Sequence, residues 1–247
     1  MYYAIPHTTV RVLGSMHMVP NGAEPVPTWA RDAYDWCDQL FIEGDPKEFL
    51  PRARSHDASL QARLPPKLWD ALSDMWPVAG PLAPLEQLHP WAALIFYSVL
   101  RLGNWPVPGI EPNLLSIAAA DGKDVGYLET GAGVATLFAM APLNEICAAL
   151  EVVLDQTDER LRGAISAMHE RWQQKDRPGF YAVASSLPMF AFPGIRAAVL
   201  DARNLSWVPA LEKVLVSSRR TLVVVGALHL CGDHSLQACL NREFVPL

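Results

Sequence analysis

Two stretches of the sequence, VRVLGSMHMVP and TLVVVGALHLCGDHSL, each run an apolar segment into Gly-x-x-His, placing His17 and His229 just past what read as buried strands. With 15 Gly and 7 His in the chain, chance supplies roughly 0.4 such pairs, so the spacing alone is a weak signal. The shared setting strengthens it, because a glycine at a strand end lets the backbone turn sharply and approach a ligand closely. Other apolar runs end in comparable groups: Glu43 after QLFI, Glu111 in VPGIEP and Glu129 in DVGYLET, while Asp201, Arg203 and Asn204 close VLDARN. Two imidazoles, His17 and His229, and one or more of these carboxylates suit a borderline divalent ion, Zn, Mn, Co or Fe. Such an ion polarises a carbonyl and lowers the pKa of bound water. Glu129 is then the expected base for the water's proton. Arg203 would steady a developing oxyanion, and Asn204 would donate a hydrogen bond to substrate or to a ligand. Glu111 joins this catalytic set, either as a ligand or as the support of one.

Each of these residues also has a structural reading. A histidine after a strand often bonds the backbone, and Glu43 or Glu111 could face the N-terminus of the next helix. Arg203 could serve an ion pair, and Trp207 reads as core. His7, His56, His89, His169 and His234 have no comparable setting and are given no role.

The groups need elements to position them. Runs rich in Val, Ile and Leu at residues 9–14, 39–44, 107–112, 124–130 and 221–227 read as buried strands, with REFVPL as an edge strand. Helical patterns lie between them. In DERLRGAISAMHERWQQ, Leu161, Ile165, Met168 and Trp172 share one stripe. Thr28 is the expected cap of a helix through WARDAYDWCDQ, and Ser206 the cap of SWVPALEKVLVSS, with Pro209 in its first turn. Residues 46–82 read as a Pro- and Trp-rich, loop-rich helical insertion, and 83–102 as a buried helix. Alternating strands and helices predict an α/β fold, a three-layer sandwich with a mostly parallel central sheet. Residues 1–247 are expected to form one domain in which 46–105 caps one end. In such sheets ligands sit beyond the carboxyl ends of the strands, where these polar residues fall.

Composition narrows the function classes. A formal charge of −6 and a pI near 5.6 argue against nucleic acid or an anionic membrane as partner. No basic-then-apolar leader and no spanning apolar stretch are visible, so a cytoplasmic location without a membrane span is expected. The four cysteines, Cys37, Cys147, Cys231 and Cys239, show no metal spacing and read as small buried residues. ETGAGVATLF follows a strand and precedes a helix, but it lacks the third glycine and the later acidic residue of a dinucleotide loop.

Taken in order, VLGSMHMVP, LFIEGD, GIEPNLL, GYLET, ARN..W and VVVGALHLCGDHSL resemble the motifs of the TraB/GumN family, which belongs with TIKI-type proteins and, more distantly, with erythromycin-esterase-like and ChaN-like proteins. The resemblance runs from about residue 10 onward and is thin through 46–105. It implies an α/β fold with the paired motifs lining one cleft and, for TIKI-like members, a metal-dependent protease. His17 and His229 match the paired histidines, Glu43 the second strand's acid, Glu129 the acid of LET, and Arg203 with Asn204 the RN pair. Glu111 stands where the family usually has Asp, and GAGVATLF replaces a Gln-rich stretch. Three functions follow as expectations: first a metal-dependent hydrolase of a peptide or small ester or amide, a peptidase before the others, with His17, Glu43 and His229 as ligands and Glu129 as base; second a metal-free esterase-like hydrolase with a histidine base; third a non-enzymatic haem- or peptide-binding module.

Overall fold

A computed structural model of the chain describes residues 1–24, 26–55, 57–76, 84–103 and 105–247. Eight strands occur among them: β1 (Tyr2–Ala4), β2 (Val10–Ser15), β3 (Met18–Pro20), β4 (Gln39–Ile42), β5 (Pro106–Pro108), β6 (Asp124–Tyr127), β7 (Thr221–Gly226) and β8 (Val245–Pro246). Six form one sheet in the order β6-β4-β7-β2-β1-β8, with β3 and β5 paired separately. The four strands β6, β4, β7 and β2 run parallel, and β1 and β8 extend the sheet antiparallel. With its helices this is a three-layer α/β sandwich, as the alternating pattern predicts. All six residues of β7 are buried, which is why TLVVVG carries no polar alternation. Pro246 sits in β8, at the edge, where its missing N–H breaks no central ladder.

Strand order explains how the two ends of the chain meet. The chain lays down β2, then β4, then β6, and at its far end inserts β7 between β2 and β4. Register pairs Ser15 with Gly226 and Ile42 with Val224. The residues that follow β2, β4, β6 and β7 therefore emerge side by side on one edge.

The helix Asp158–Gln173 follows the predicted stripe, with Leu161, Ile165 and Trp172 buried. Its N-terminus is capped by the Thr157 side chain, which accepts from the Arg160 N–H. The segment 46–105 contains the short helices Pro46–Phe49, Leu60–Arg63 and Pro66–Met75 and the helix Pro90–Leu100. Within it, residues 56, 77–83 and 104 lie outside the described residues. Pro46–Phe49 packs on the helix Gly131–Phe138, and Pro90–Leu100 on the helix Leu143–Asp155.

Four expectations change. VPGIEP is not a strand of the main sheet: only β5 extends, against β3, and Ile110 opens the helix Ile110–Asp121. Prolines 106 and 108 preclude a central strand, while Pro112 falls in the helix's first turn, where its missing N–H leaves no helical bond unmade. Glu111 accordingly sits on a first helical turn rather than at a strand end. VLD, the apolar run before Arg203, is one wide π-turn, Ala197–Asp201, running into the helix Ala202–Leu215. That helix begins before Ser206, so Ser206 is no cap; its hydroxyl bonds back to the Arg203 carbonyl, and Pro209 lies inside the helix. Thr28 is the first residue of the helix Thr28–Trp36, behind Pro27, and makes no capping bond.

Candidate active site

Across the carboxyl edge the adjacent strands β6, β4, β7 and β2 deliver Glu129, Glu43, His229 and His17 in that spatial order. Glycines allow the close approach. A Cβ on Gly109 would stand 1.7 Å from the Met16 carbonyl oxygen, so only glycine lets the Gly109 N–H reach the His17 carbonyl at 2.8 Å. This clamp ties the loop after β2 to the start of the helix bearing Glu111. On its other side the Trp172 indole N–H donates to the Gly14 carbonyl at 2.7 Å.

The two histidines are held in the same way. His17 Nδ1 lies 2.8 Å from Glu111 Oε1, and its Nε2 lies 3.7 Å from Glu43 Oε1. His229 Nδ1 lies 2.7 Å from Asn204 Oδ1, and its Nε2 is also 3.7 Å from Glu43 Oε1. Asn204 gives its amide hydrogens to the carbonyls of His229 and His234, which turns its oxygen towards His229 and makes Nδ1 the protonated nitrogen. Glu111 Oε1 also accepts from the buried Ser15 hydroxyl, while Glu111 Oε2 is buried and has no partner among the described residues.

Burial separates the pair. The His17 side chain is 59% exposed and that of His229 only 2%. The Glu111 charge, working against burial and assisted by Glu43, pushes the His17 pKa up to about 9. Solvent at so open a ring screens part of that push. Burial first, with Arg203 beside it, pulls His229 down to about 3 despite Glu43. One imidazole is thus a surface cation at neutral pH and the other a buried neutral base.

Arg203 is the node between the acids. Its Nη2 reaches Glu43 Oε2 at 2.5 Å and also bonds Glu129 Oε1. Its Nε spans both Glu129 oxygens at 3.2 and 3.1 Å, and Nη1 lies 3.2 Å from His229 Nε2. The π-turn before Arg203 and Asn204 carries both side chains to this edge, one to the acids and the other to His229. Burial tends to raise the Glu43 pKa, but Arg203, both histidines and the Gly226 N–H at 2.6 Å outweigh it, holding the carboxyl well below the usual range. Trp207, which the sequence places in the core, is fully buried and also polar in its contacts. Its indole N–H donates to Glu129 Oε2 at 2.8 Å, and its ring lies 4.4 Å from that of His229.

All seven expected residues, His17, Glu43, Glu111, Glu129, Arg203, Asn204 and His229, therefore belong to one contact network. Ser15, Gly109, Trp172 and Trp207 complete it without a sequence signal of their own beyond position next to the motifs. Cys231 stands outside it, its thiol pushed up to about 11 by burial.

The centre of the network closes over Gly226. A Cβ there would lie 3.2 Å from both Glu43 Oε1 and His17 Nε2 and 3.5 Å from the His229 ring. Two Nε2 atoms facing one carboxylate oxygen, with both Nδ1 atoms anchored on side-chain oxygens, form a donor set of the kind divalent ions use. Among the described residues no group of three or more His, Cys, Asp or Glu side chains stands close enough to hold an ion as placed. The donor types are those a divalent ion takes, but as placed they do not enclose one, and Arg203 Nη1 stands 3.2 Å from His229 Nε2.

No single helix among the described residues is long and apolar enough to cross a membrane. The family model described as the TraB/PrgY/gumN family matches residues 5–243. The comparison with curated proteins returned no match.

Proposed function

The chain belongs to the TraB/PrgY/gumN family, and from that premise we propose that it is a hydrolase of peptides or small esters or amides, centred on His17, Glu43 and His229 and holding a divalent metal ion there. The observation that carries this reading is the turning of both Nε2 atoms towards Glu43 Oε1 above a glycine. Charge supports it: three carboxylates (Glu43, Glu111, Glu129) against one guanidinium and the charged His17 leave one negative charge, and release of the His17 proton on binding leaves two for a divalent cation to balance. When bound, the ion supplies a Lewis acid and a water of lowered pKa. The chain's own residues do the remaining work. Glu111 and Asn204 orient the two rings, and Arg203 presents a fixed positive charge to a developing oxyanion. Glu129, expected as the base, is occupied by Arg203 and Trp207, so its proposed task becomes holding Arg203.

One observation favours a second, metal-free reading. Arg203 Nη1 already faces His229 Nε2 at 3.2 Å, and the half-exposed His17 is backed by Glu111 as a general acid–base would be. A single comparison separates the two. Purified protein is assayed on quenched-fluorescent peptides and a nitrophenyl ester, before and after chelation, alongside His17→Ala and Glu43→Gln. Activity abolished by chelator, restored by Mn or Zn and absent in both variants supports the metal reading. Activity that survives chelation and is lost only with His17 supports the second. Loss of neither activity nor metal in either variant refutes both.

A further inference from the structure

A cleft of about 980 Å³ is floored by Thr130, the residue after Glu129 in the chain, and one face of the helix Gly131–Phe138, and walled by the 48–54 segment and His89. The floor side chains Ala132 and Ala135 are small, leaving room along the helix for an extended ligand. Arg52 and Arg54 line the wall and are exposed. Among the described residues their side chains make no hydrogen bond or ion pair. The single acid in the lining, Glu48, is committed at 3.2 Å to the Gly131 N–H, at the positive end of that helix. The wall is therefore basic in a chain whose formal charge is −6, and the floor begins at Thr130, one residue along the chain from Glu129.

We infer that this cleft is a substrate subsite for a peptide segment bearing Glu or Asp side chains, which Arg52 and Arg54 receive while the chain lies along the alanine face. The inference rests on the hydrolase reading for its meaning, but binding here needs neither turnover nor a metal. Each exposed charge pair contributes modestly, so the two arginines together imply a preference of about threefold to tenfold for an acidic over a neutral peptide.

The test is fluorescence anisotropy in chelator with two dansylated hexapeptides, one carrying two glutamates and the other glutamines in their place. The native chain should bind the acidic peptide about threefold to tenfold more tightly, with the preference shrinking as salt rises. Arg52→Glu/Arg54→Glu should abolish the preference. Arg160→Glu/Arg162→Glu, the same charge change on the helix Asp158–Gln173 away from the cleft, should keep it. Equal binding of both peptides, no binding of either, or equal loss in the two double variants overturns the inference. Hydrolysis without acidic preference would remove the subsite and leave the hydrolase, whereas an Arg52/Arg54-dependent preference in an inactive protein would do the reverse.

Discussion

The imidazole of His229 is fixed in one tautomer by an amide that is itself fixed by two backbone carbonyls, and that of His17 is backed by a carboxylate at the same nitrogen. Nitrogen-resolved NMR of the ring resonances should therefore find His17 charged at neutral pH, titrating towards about 9, and His229 neutral with its proton on Nδ1 down to about 3. Matching titrations near 6.5 for both rings would remove the asymmetry on which the account relies. Asn204→Ala frees the buried ring and should lower metal affinity or activity about tenfold to a hundredfold, the usual loss when a ligand's outer partner is removed. Trp207→Phe keeps the packing against His229 but deprives Glu129 Oε2 of its indole donor. That oxygen keeps the Arg203 Nε donor, so the loss of one hydrogen bond should cost about 0.5–1.5 kcal/mol in denaturant unfolding; no change would return Trp207 to a purely packing role.

The strands that build the edge are legible in the sequence because TVRVLG, QLFI and TLVVVG are short apolar runs bounded by glycine or charge, and length, flanks and, in TVRVLG and TLVVVG, β-branched content favour a strand over a buried helix. Glu111 was harder to place, since an apolar pair beside prolines and a glycine suits a strand end and a helix start equally well. What decides between them is tertiary: Gly109 pressed on the Met16 carbonyl. The run before Arg203 was ambiguous for the same reason, its burial arising from a helix with one wide turn rather than from a sheet. Trp207 and Ser15 carry no periodic signal that separates a polar contact from packing. At this scale Gly226 gives the sharpest prediction. Gly226→Ala puts a methyl 3.2 Å from Glu43 Oε1 and His17 Nε2, so neighbours must shift by tenths of an ångström while the buried strand persists. Near-native circular dichroism with metal binding or hydrolysis lost is expected; full function in this variant would show that the close contacts over Gly226 are not used.

Over the whole molecule the site links function to pH-dependent stability. The folded pKa of His229, about 3, lies below its ordinary 6.5, so its contribution is complete above 6.5 and is lost as pH falls towards 3. Glu43, held below its ordinary 4.5, adds to that acid loss. His17 works in the opposite sense: raised to about 9, it stabilises fully below 6.5 and less as pH climbs through 9, weakly because its ring is open to solvent. Calorimetry across pH should therefore place the thermal maximum near neutrality, with a steep acid flank and a shallow alkaline one. A flat acid flank between 6.5 and 4.5 would argue that His229 is not buried neutral. The central claim, that strands from both ends of the chain bring His17, Glu43 and His229 together to hold a divalent ion, is tested most directly by calorimetric titration of chelator-stripped protein with Mn or Zn. The native chain should bind saturably, and Glu43→Gln and His229→Ala should each bind about tenfold or more weakly. No saturable binding by the native chain, or undiminished binding by either variant, would contradict it.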